Sequence, residues 1–519
     1  MRQYRYMDRR DLLRAGFLTA GAYLVETPRL WAQPHFKTDP FQLGVASGDP
    51  WPDSVVLWTR LAPDPMNNGG MPKEDVQVRW RVCSDEHMSK IVRQGSAIAN
   101  PEWAHSVHVE VNGLLPDRWY WYQFDVGTGT SRVASPIGRT KTAPAASSRP
   151  ERFPFAFVSC QKYESGFYTA IDHLCEEDLS LLIHLGDYTY EKGPTKGVRP
   201  MPIPTSISLE GYRNRYAYYK MDPSLKRLHA QFPLAAVSDD HEVSNNYAGL
   251  IPEKASQVPG FKERRAAAYR AYYEHMPFRM AVQPHDAYMT MYRTLRIGKL
   301  ADIHLLDTRQ YRTDQPCGDG TKPSCPEREG PSTMMGEAQE QWLNAQLAEG
   351  HAAGARWNVL AQQIIFSQID VSRTGEKQYM MDKWDGYPQA RRRMVDSIVT
   401  KGLENVVILS GDNHNNWVLD VKRDPDEERS AVIASEFSGT SLTSGGDGAD
   451  LAPEFAPILS KNPQVKFHNS QRGYVRCVIT PDKWTSDYRI VPYVTRPGAP
   501  IQTRASFVVE SGHAGAQRA

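Results

Sequence analysis

Residues 180–191 read SLLIHLGDYTYE. Leu181, Leu182, Ile183 and Leu185 make an apolar run with the length and the bounding turn of a strand buried on both faces, and Gly186 ends it. Asp187 and Tyr190 then leave from the carboxyl end of that strand, the edge at which open α/β sheets place their ligands. A carboxylate and a phenol three residues apart at such an edge suit one hard, highly charged cation. The same letters also describe a plain strand-to-turn exit in which Gly-Asp serves only the turn. The remainder of the chain has to decide.

From residue 153 onward apolar runs alternate with helical segments: strands at 155–158, 181–185, 234–237, 301–306, 357–361 and 406–410, helices at 166–175, 225–230 and 389–401. That alternation predicts a layered α/β domain with a parallel or mixed sheet. Several of these strands stop at residues suited to metal chemistry. Cys160 follows the first, Asp187 and Tyr190 the second, Asp239-Asp240-His241-Glu242 with Asn245 and Asn246 the third, and Gly411-Asp412-Asn413-His414 the last. One such cluster is the usual vocabulary of a strand end. Four of them in a single doubly wound sheet converge on one edge and define a site.

The residue types sort into two environments. Cys160, Asp187, Tyr190 and His414 suit a redox-capable transition metal, with ferric iron the best match to phenolate plus thiolate. Asp240 and Asp412, with Asp187 shared, make an oxygen-rich second site for Ca²⁺, Mn²⁺ or Mg²⁺. A shared carboxylate holds two cations about 3.5 to 4 Å apart, the separation typical of phosphoryl hydrolysis.

The 519 residues exceed one usual core, so two domains are expected. Residues 40–145 read as an all-β unit, with strands at 55–58, 76–82, 105–111 and 119–126; its Leu114-Leu115-Pro116 step and following aromatic alternation resemble a fibronectin III-like sandwich. An Ala-, Pro- and Ser-rich linker at 142–150 leads into a catalytic unit over 153–519. Lys plus Arg total 61 against 60 Asp plus Glu, a balance that excludes a global field for gathering nucleic acid or anionic membrane. Any anionic substrate must be drawn locally.

Arg9 and Arg10 ahead of a short, small-residue apolar segment resemble a twin-arginine export signal, which assigns residues 1–32 to a removable leader and the protein to a periplasmic or secreted location. No segment is long and apolar enough to serve as a transmembrane anchor. Cys317 and Cys325 bracket the loop GDGTKPS and are expected to pair in an oxidising compartment; Cys83, Cys175 and Cys477 read as core residues.

The stretches FVSCQ (157–161), GDYTYE (186–191), SDDHEVSNNYAG (238–249), DTRQYR (307–312), WDGYP (384–388) and SGDNHNNW (410–417), in that order, resemble the PhoD-like alkaline phosphatases, relatives of the purple acid phosphatases among the calcineurin-like metallophosphoesterases. The resemblance implies a metallophosphoesterase-type β-sheet sandwich flanked by helices, acting on small or polymeric phosphate esters. It also implies ferric iron on Cys160, Asp187, Tyr190 and a residue of 411–414, with calcium alongside. Where the purple acid phosphatases have Asn-His-Glu this chain has Asp240-His241-Glu242, and where they have Gly-His-x-His it has Gly411-Asp412-Asn413-His414. These departures leave open whether Asp239 or Asp240 is the direct ligand, and which ion Asp412 and His414 each bind.

The expected mechanism is attack on phosphorus by a metal-bound hydroxide, with His241 stabilising or protonating the leaving alkoxide. Asn246, Arg213, Arg215 and Arg270 are candidates for the non-transferring phosphate oxygens, although the arginines lie in expected helices, where structural ion pairs are the commoner use. Residues 384–387 read equally as a rim loop or a structural turn. The chain is expected to be a monomer, to use the twin-arginine machinery and to form no stable nucleic acid complex. The competing readings are a phospholipase D-like phosphodiesterase on the same scaffold and a non-catalytic exported binding or adhesion protein.

Overall fold

The computed structural model describes residues 36–373 and 375–519, so the twin-arginine leader lies outside the described residues. The N-terminal part contains β1 (Val45–Trp51), β2 (Ser54–Arg60), β3 (Val76–Cys83), β4 (Ile91–Ala99), β5 (Ser106–Asn112), β6 (Trp119–Val126), β7 (Val133–Ala134) and β8 (Gly138–Lys141). Period-two alternation sends Val76, Val78 and Val82 of β3 and Tyr120, Tyr122 and Phe124 of β6 inward against Val45, Val55, Leu57 and Val109 of β1, β2 and β5. The Leu115 N–H donates to the Tyr120 hydroxyl at 2.9 Å, which fixes the corner after the Leu-Leu-Pro step.

One layer of this unit continues into the next. β9 (Phe153–Val158), α1 (Thr169–Leu174), β10 (Leu181–His184), α2 (Leu209–Lys220), α3 (Pro223–Gln231), β11 (Pro233–Ala236) and α4 (Phe261–His275) follow. β1 pairs in parallel with β11, Ser47 opposite Pro233. Next come β12 (Arg293–Ile297), β13 (Ala301–Leu305), β14 (Thr321–Pro323), α5 (Gly336–Ala353), β15 (Trp357–Ala361), β16 (Gln378–Met380), α6 (Pro388–Thr400), β17 (Val406–Ser410), β18 (Asn416–Lys422), β19 (Val432–Ser438), α7 (Ala456–Lys461) and β20 (Val465–Asn469). β21 (Arg472–Ile479), β22 (Lys483–Val491), β23 (Gln502–Glu510) and β24 (Gln517–Arg518) close the chain.

Two large sheets result. The ten-stranded one runs β24-β23-β22-β21-β9-β10-β11-β1-β2-β5 and the seven-stranded one β12-β13-β15-β17-β19-β18-β20. They face each other across Phe155, Phe157, Trp357, Phe437 and Trp484, all buried in one continuous core. Trp484 stacks on Phe437 with ring centroids 6.3 Å apart and meets Trp357 at 6.0 Å. α5 and α6 cover the outer face of the second sheet through Leu343, Leu347, Val395 and Ile398. The expected convergence on a single doubly wound sheet is therefore corrected: β9, β10 and β11 belong to the first sheet and β17 to the second. An apolar run reports burial but not the identity of the pairing partner. Among the described residues, no helix is long and apolar enough to cross a membrane.

Candidate metal centre

Three of the four strand ends turn on left-handed backbone. Cys160 and Asp187 have φ of 58°, Asp412 60° and His414 56°. Such conformations at non-glycine residues cost on the order of 1 kcal/mol or more each and gather at functional turns. The turns after β9 and β10 are tied together: Cys160 N–H donates to the Gly186 carbonyl and Gln161 N–H to that of Asp187, each at 3.1 Å. Gly186, at φ 104°, is pressed so closely on the third turn that an added Cβ would lie 2.4 Å from Asp239 Cβ. That close approach lets Asp187 and Asp239 share one site.

Donor atoms of Cys160, Asp187 and His414 lie within 4.8 Å of one another. The Tyr190 hydroxyl donates to Asp187 Oδ2 at 2.8 Å, lies 3.2 Å from His414 Nε2 and accepts from Ser444 Oγ at 2.7 Å. Burial, reinforced by the Asp187 carboxylate, pushes both the Cys160 thiol and the Tyr190 phenol well above their ordinary ranges. Burial, with Arg472 nearby, takes His414 down to about 3, so its imidazole is neutral with a lone pair to offer.

Asp187 also belongs to a set with Asp240 and His241, and to another with Asp239, Asp240 and Asp412. Asp239 Oδ2 and Asp240 Oδ1 are buried and accept no hydrogen bond, and Asp412 Oδ2 meets only the Lys383 ammonium, without hydrogen-bonding geometry. Asp239 Oδ1 is claimed by Arg309 Nε at 2.5 Å, whereas Arg309 Nη2 stands 3.7 Å from Asp240 and 3.9 Å from Asp412. Burial on its own would raise Asp240, but His241 and Arg309 outweigh it and hold this carboxyl down at about 2. Buried carboxylate oxygens without partners are expensive unless a cation meets them. Thiol, phenol, imidazole and carboxylate on one side of Asp187, and carboxylates alone on the other, fit a transition metal beside a hard divalent cation.

His241 stands over this group, its ring 4.2 Å from that of Tyr190 and its Nδ1 2.7 Å from Glu191 Oε2. Burial on its own would lower His241, but the carboxylates of Asp240, Asp187 and Glu191 carry it up to about 10. Asn246, at φ 51°, donates its N–H to Asp240 Oδ2 and its side-chain amide to Asp319 Oδ2, each at 2.7 Å. Asp319 lies inside the loop closed by the Cys317–Cys325 disulfide. Cys83, Cys175 and Cys477 are free and buried.

The helical arginines are not brought to the site. Arg213 clamps Glu274 at 2.6 Å. Arg270 bonds Glu274 at 3.2 Å and lies over Trp103, and Arg215 serves Ser206 and the carbonyls of Lys192, Ile203 and Pro204. Arg270, expected at the phosphate, is turned instead to buried Glu274 on its own helix and to the Glu102 carbonyl. Trp384 is buried and donates to Gln362 Oε1 at 3.1 Å, so 384–387 is a structural turn and not a rim.

Sequence reasoning named Glu242 only as a strand-end residue and missed the supporting roles of four groups. Glu242 accepts the N–H of Asp187 (3.2 Å), Tyr188 (2.6 Å) and Asp239 (2.8 Å), so one carboxylate fixes two strand-end turns. Glu191 orients His241, Arg309 holds Asp239, and Lys383 reaches Asp412. All four lie in or beside the motifs quoted above. The usable signal was the crowd of buried acids, which requires counter-charge.

Two facing sheets whose strand ends pool such donors at a common rim define the metallophosphoesterase class of fold. Within that class, the model of the PhoD-like phosphatase matches residues 155–488 and that of its N-terminal domain residues 26–144. The chain belongs to the PhoD-like phosphatase family. It is 50% identical to alkaline phosphatase D of Bacillus subtilis over 94% of this chain and 84% of that one. It is 28% identical to purple acid phosphatase 23 of Arabidopsis thaliana over 158 residues, 29% of this chain and 33% of the relative. A solved structure described as "Structure of PhoD" superposes with a TM-score of 0.90 at 50% identity, covering 93% of each chain.

Proposed function

We propose that this protein is an exported hydrolase of phosphate mono- and diesters that works with two cations bridged by Asp187. The observation that carries the reading is the membership of Asp187 in both donor sets, one of them ringed by unpartnered carboxylate oxygens. Cys160, Asp187, Tyr190 and His414 are assigned to ferric iron. Asp187, Asp240 and Asp412 are assigned to calcium, with Mn²⁺ or Mg²⁺ as substitutes. Asp239, held by Arg309, lines the second site without being its first ligand. Cations bound there supply the positive charge that activates water and offsets charge on the phosphoryl oxygens.

The chain's own residues do the rest. His241, oriented through Nδ1 by Glu191, presents its other ring nitrogen to the leaving oxygen and delivers a proton. Asn246, anchored between Asp240 and Asp319, marks the rim over which the ester group lies. Residues 40–145 act as the β unit that completes the first sheet, and 153–519 as the catalytic unit of a monomer. The Arg9-Arg10 leader and the Cys317–Cys325 disulfide both support an oxidising, exported setting.

Metal analysis, the visible spectrum and turnover of an aryl phosphate by the purified protein test this reading together. Iron, a divalent cation, a tyrosinate charge-transfer band and release of inorganic phosphate are expected. A colourless, metal-free protein without turnover sinks it and favours the binding-protein reading.

A further inference from the structure

Outside the metal centre the chain encloses a cavity of about 260 Å³, lined by Asp385, by Arg391 and Arg392 of the first turn of α6, and by Arg423 with its neighbours in the β18–β19 connection. Two of the lining groups are buried and short of partners. Arg391, 5% exposed, bonds the carbonyls of Phe366 at 3.0 Å and Lys422 at 3.5 Å, and among the described residues it pairs with no carboxylate. Asp385, 2% exposed, accepts the Ile369 N–H on Oδ2 at 3.2 Å and no hydrogen bond on Oδ1. Burial lifts the Asp385 carboxyl to about 7, against the pull of Arg391 and Arg328. The two groups line one cavity without meeting. A buried cation and a buried acceptor are each costly alone, and one molecule lying between them satisfies both. Of the other charges, Arg328 holds Glu329 at 2.6 Å and Lys377 holds Asp426 at 2.7 Å. Arg391, Arg392 and Arg423 then stand against Asp385 and Asp424, and α6 opens there without a side-chain cap, so the surplus is positive.

We propose that this cavity is a second site for inorganic phosphate, bound as hydrogen phosphate, with its bare oxygens on Arg391 and the exposed Arg392 and Arg423 and its P–OH donating to Asp385 Oδ1. Guanidinium groups pair well with phosphate oxygens, and an ionised carboxylate can only accept. Hydrogen phosphate offers acceptors and one donor on the same small tetrahedron. Sulfate, of the same shape and charge, has no proton to give, and neither has the internal phosphate of a diester. Asp385 therefore selects free phosphate over both, because a site built to bond a hydroxyl rejects the analogue that lacks it. The inference goes beyond the two-cation reading and needs the reaction only as a source of phosphate.

The test is calorimetric titration of the metal-loaded protein with inorganic phosphate and with sulfate at about pH 8.5, where Asp385 is ionised and phosphate still carries one proton. The wild-type chain is expected to bind phosphate at one site beyond the metal centre, and sulfate at least about tenfold more weakly there. Arg391→Met should weaken that extra binding by about tenfold or more, with turnover of an aryl phosphate unchanged. Asp385→Asn, which keeps the side chain's shape and serves should the methionine variant fail to fold, should weaken phosphate by about tenfold and leave sulfate no weaker. Equal binding of the two anions by the wild-type chain overturns the proposal, as does an equal loss of both in Asp385→Asn. Phosphate binding unaltered in the variants, or found only where the metals are, overturns it as well. Absence of turnover with the extra site intact would sink the reading of the reaction and leave this site standing.

Discussion

The two sides of Asp187 are built on opposite plans. On the Cys160 side the donors satisfy one another: Tyr190 bonds Asp187, approaches His414 and receives Ser444. On the Asp240 side buried oxygens lack hydrogen-bond partners, and protein cations stand among them. The first arrangement is stable as a set of neutral, protonated groups and has to release protons to take a metal. The second is a crowd of carboxylates that already faces Arg309 and Lys383. A site prepared by hydrogen bonds and a site prepared by charge thus share one carboxylate.

Removing that shared group is the harshest way to break the contrast. Asp187→Asn is expected to lower kcat/KM by about a thousandfold or more and to deplete both metals in elemental analysis. Loss of only one would show that the two sides are independent. His241 shares a donor set with Asp187 and Asp240 but is proposed as the acid and not as a ligand: His241→Ala should cost about a hundredfold in kcat while leaving both metals in place. Glu191→Gln should cost about tenfold alone and nothing further in the His241→Ala background, because Glu191 acts through that ring. Additive losses would give Glu191 a separate role.

The contrast sharpens with pH. Burial holds Cys160 and Tyr190 protonated at neutral pH, so each proton that iron displaces makes iron affinity rise by up to about tenfold per pH unit. Asp240, held at about 2, is ionised throughout that range. With iron in place, calcium affinity between pH 6 and 8 should change by less than about threefold. Competition with chelators of known affinity measures both slopes, and equal slopes would erase the distinction. The mildest perturbation is at the rim: replacing Cys317 and Cys325 by serine frees the loop that brings Asp319 to Asn246, and a rise in KM of about two- to threefold is expected with kcat and metal content retained.

Much of this was written in the chain. The runs 155–158, 181–185, 234–237 and 406–410 became β9, β10, β11 and β17 almost to the residue, because buried strands are continuous apolar stretches. β1, reading VASGDPW, was illegible, since Gly and Pro break the pattern and its burial comes from neighbours far away in sequence. β4 was lost because most of its residues face solvent. Cys160, Asp187, Tyr190, Asp240, Asp412 and His414 stood out by chemical type. Lys383 and Arg309 did not, because a lone basic residue is usually a surface charge, and only tertiary placement reveals one enclosed by acids. Arg270 is placed elsewhere for the converse reason: its partner Glu274, four residues on, is a local pairing within one helix.

The parallel pairing of β1 with β11 also bears on how the protein comes into being. Ser47 finds its partner at Pro233, so a growing chain must wait for most of the first helices before its opening strand can settle. Until then β11, itself entirely apolar, leaves its outer row of backbone groups bare, the kind of border at which chains adhere to one another. β1, β2 and β5 seal that border. The small N-terminal unit is in this sense a guardian against aggregation, and a catalytic unit produced without it would be expected to precipitate before its chemistry was ever measured.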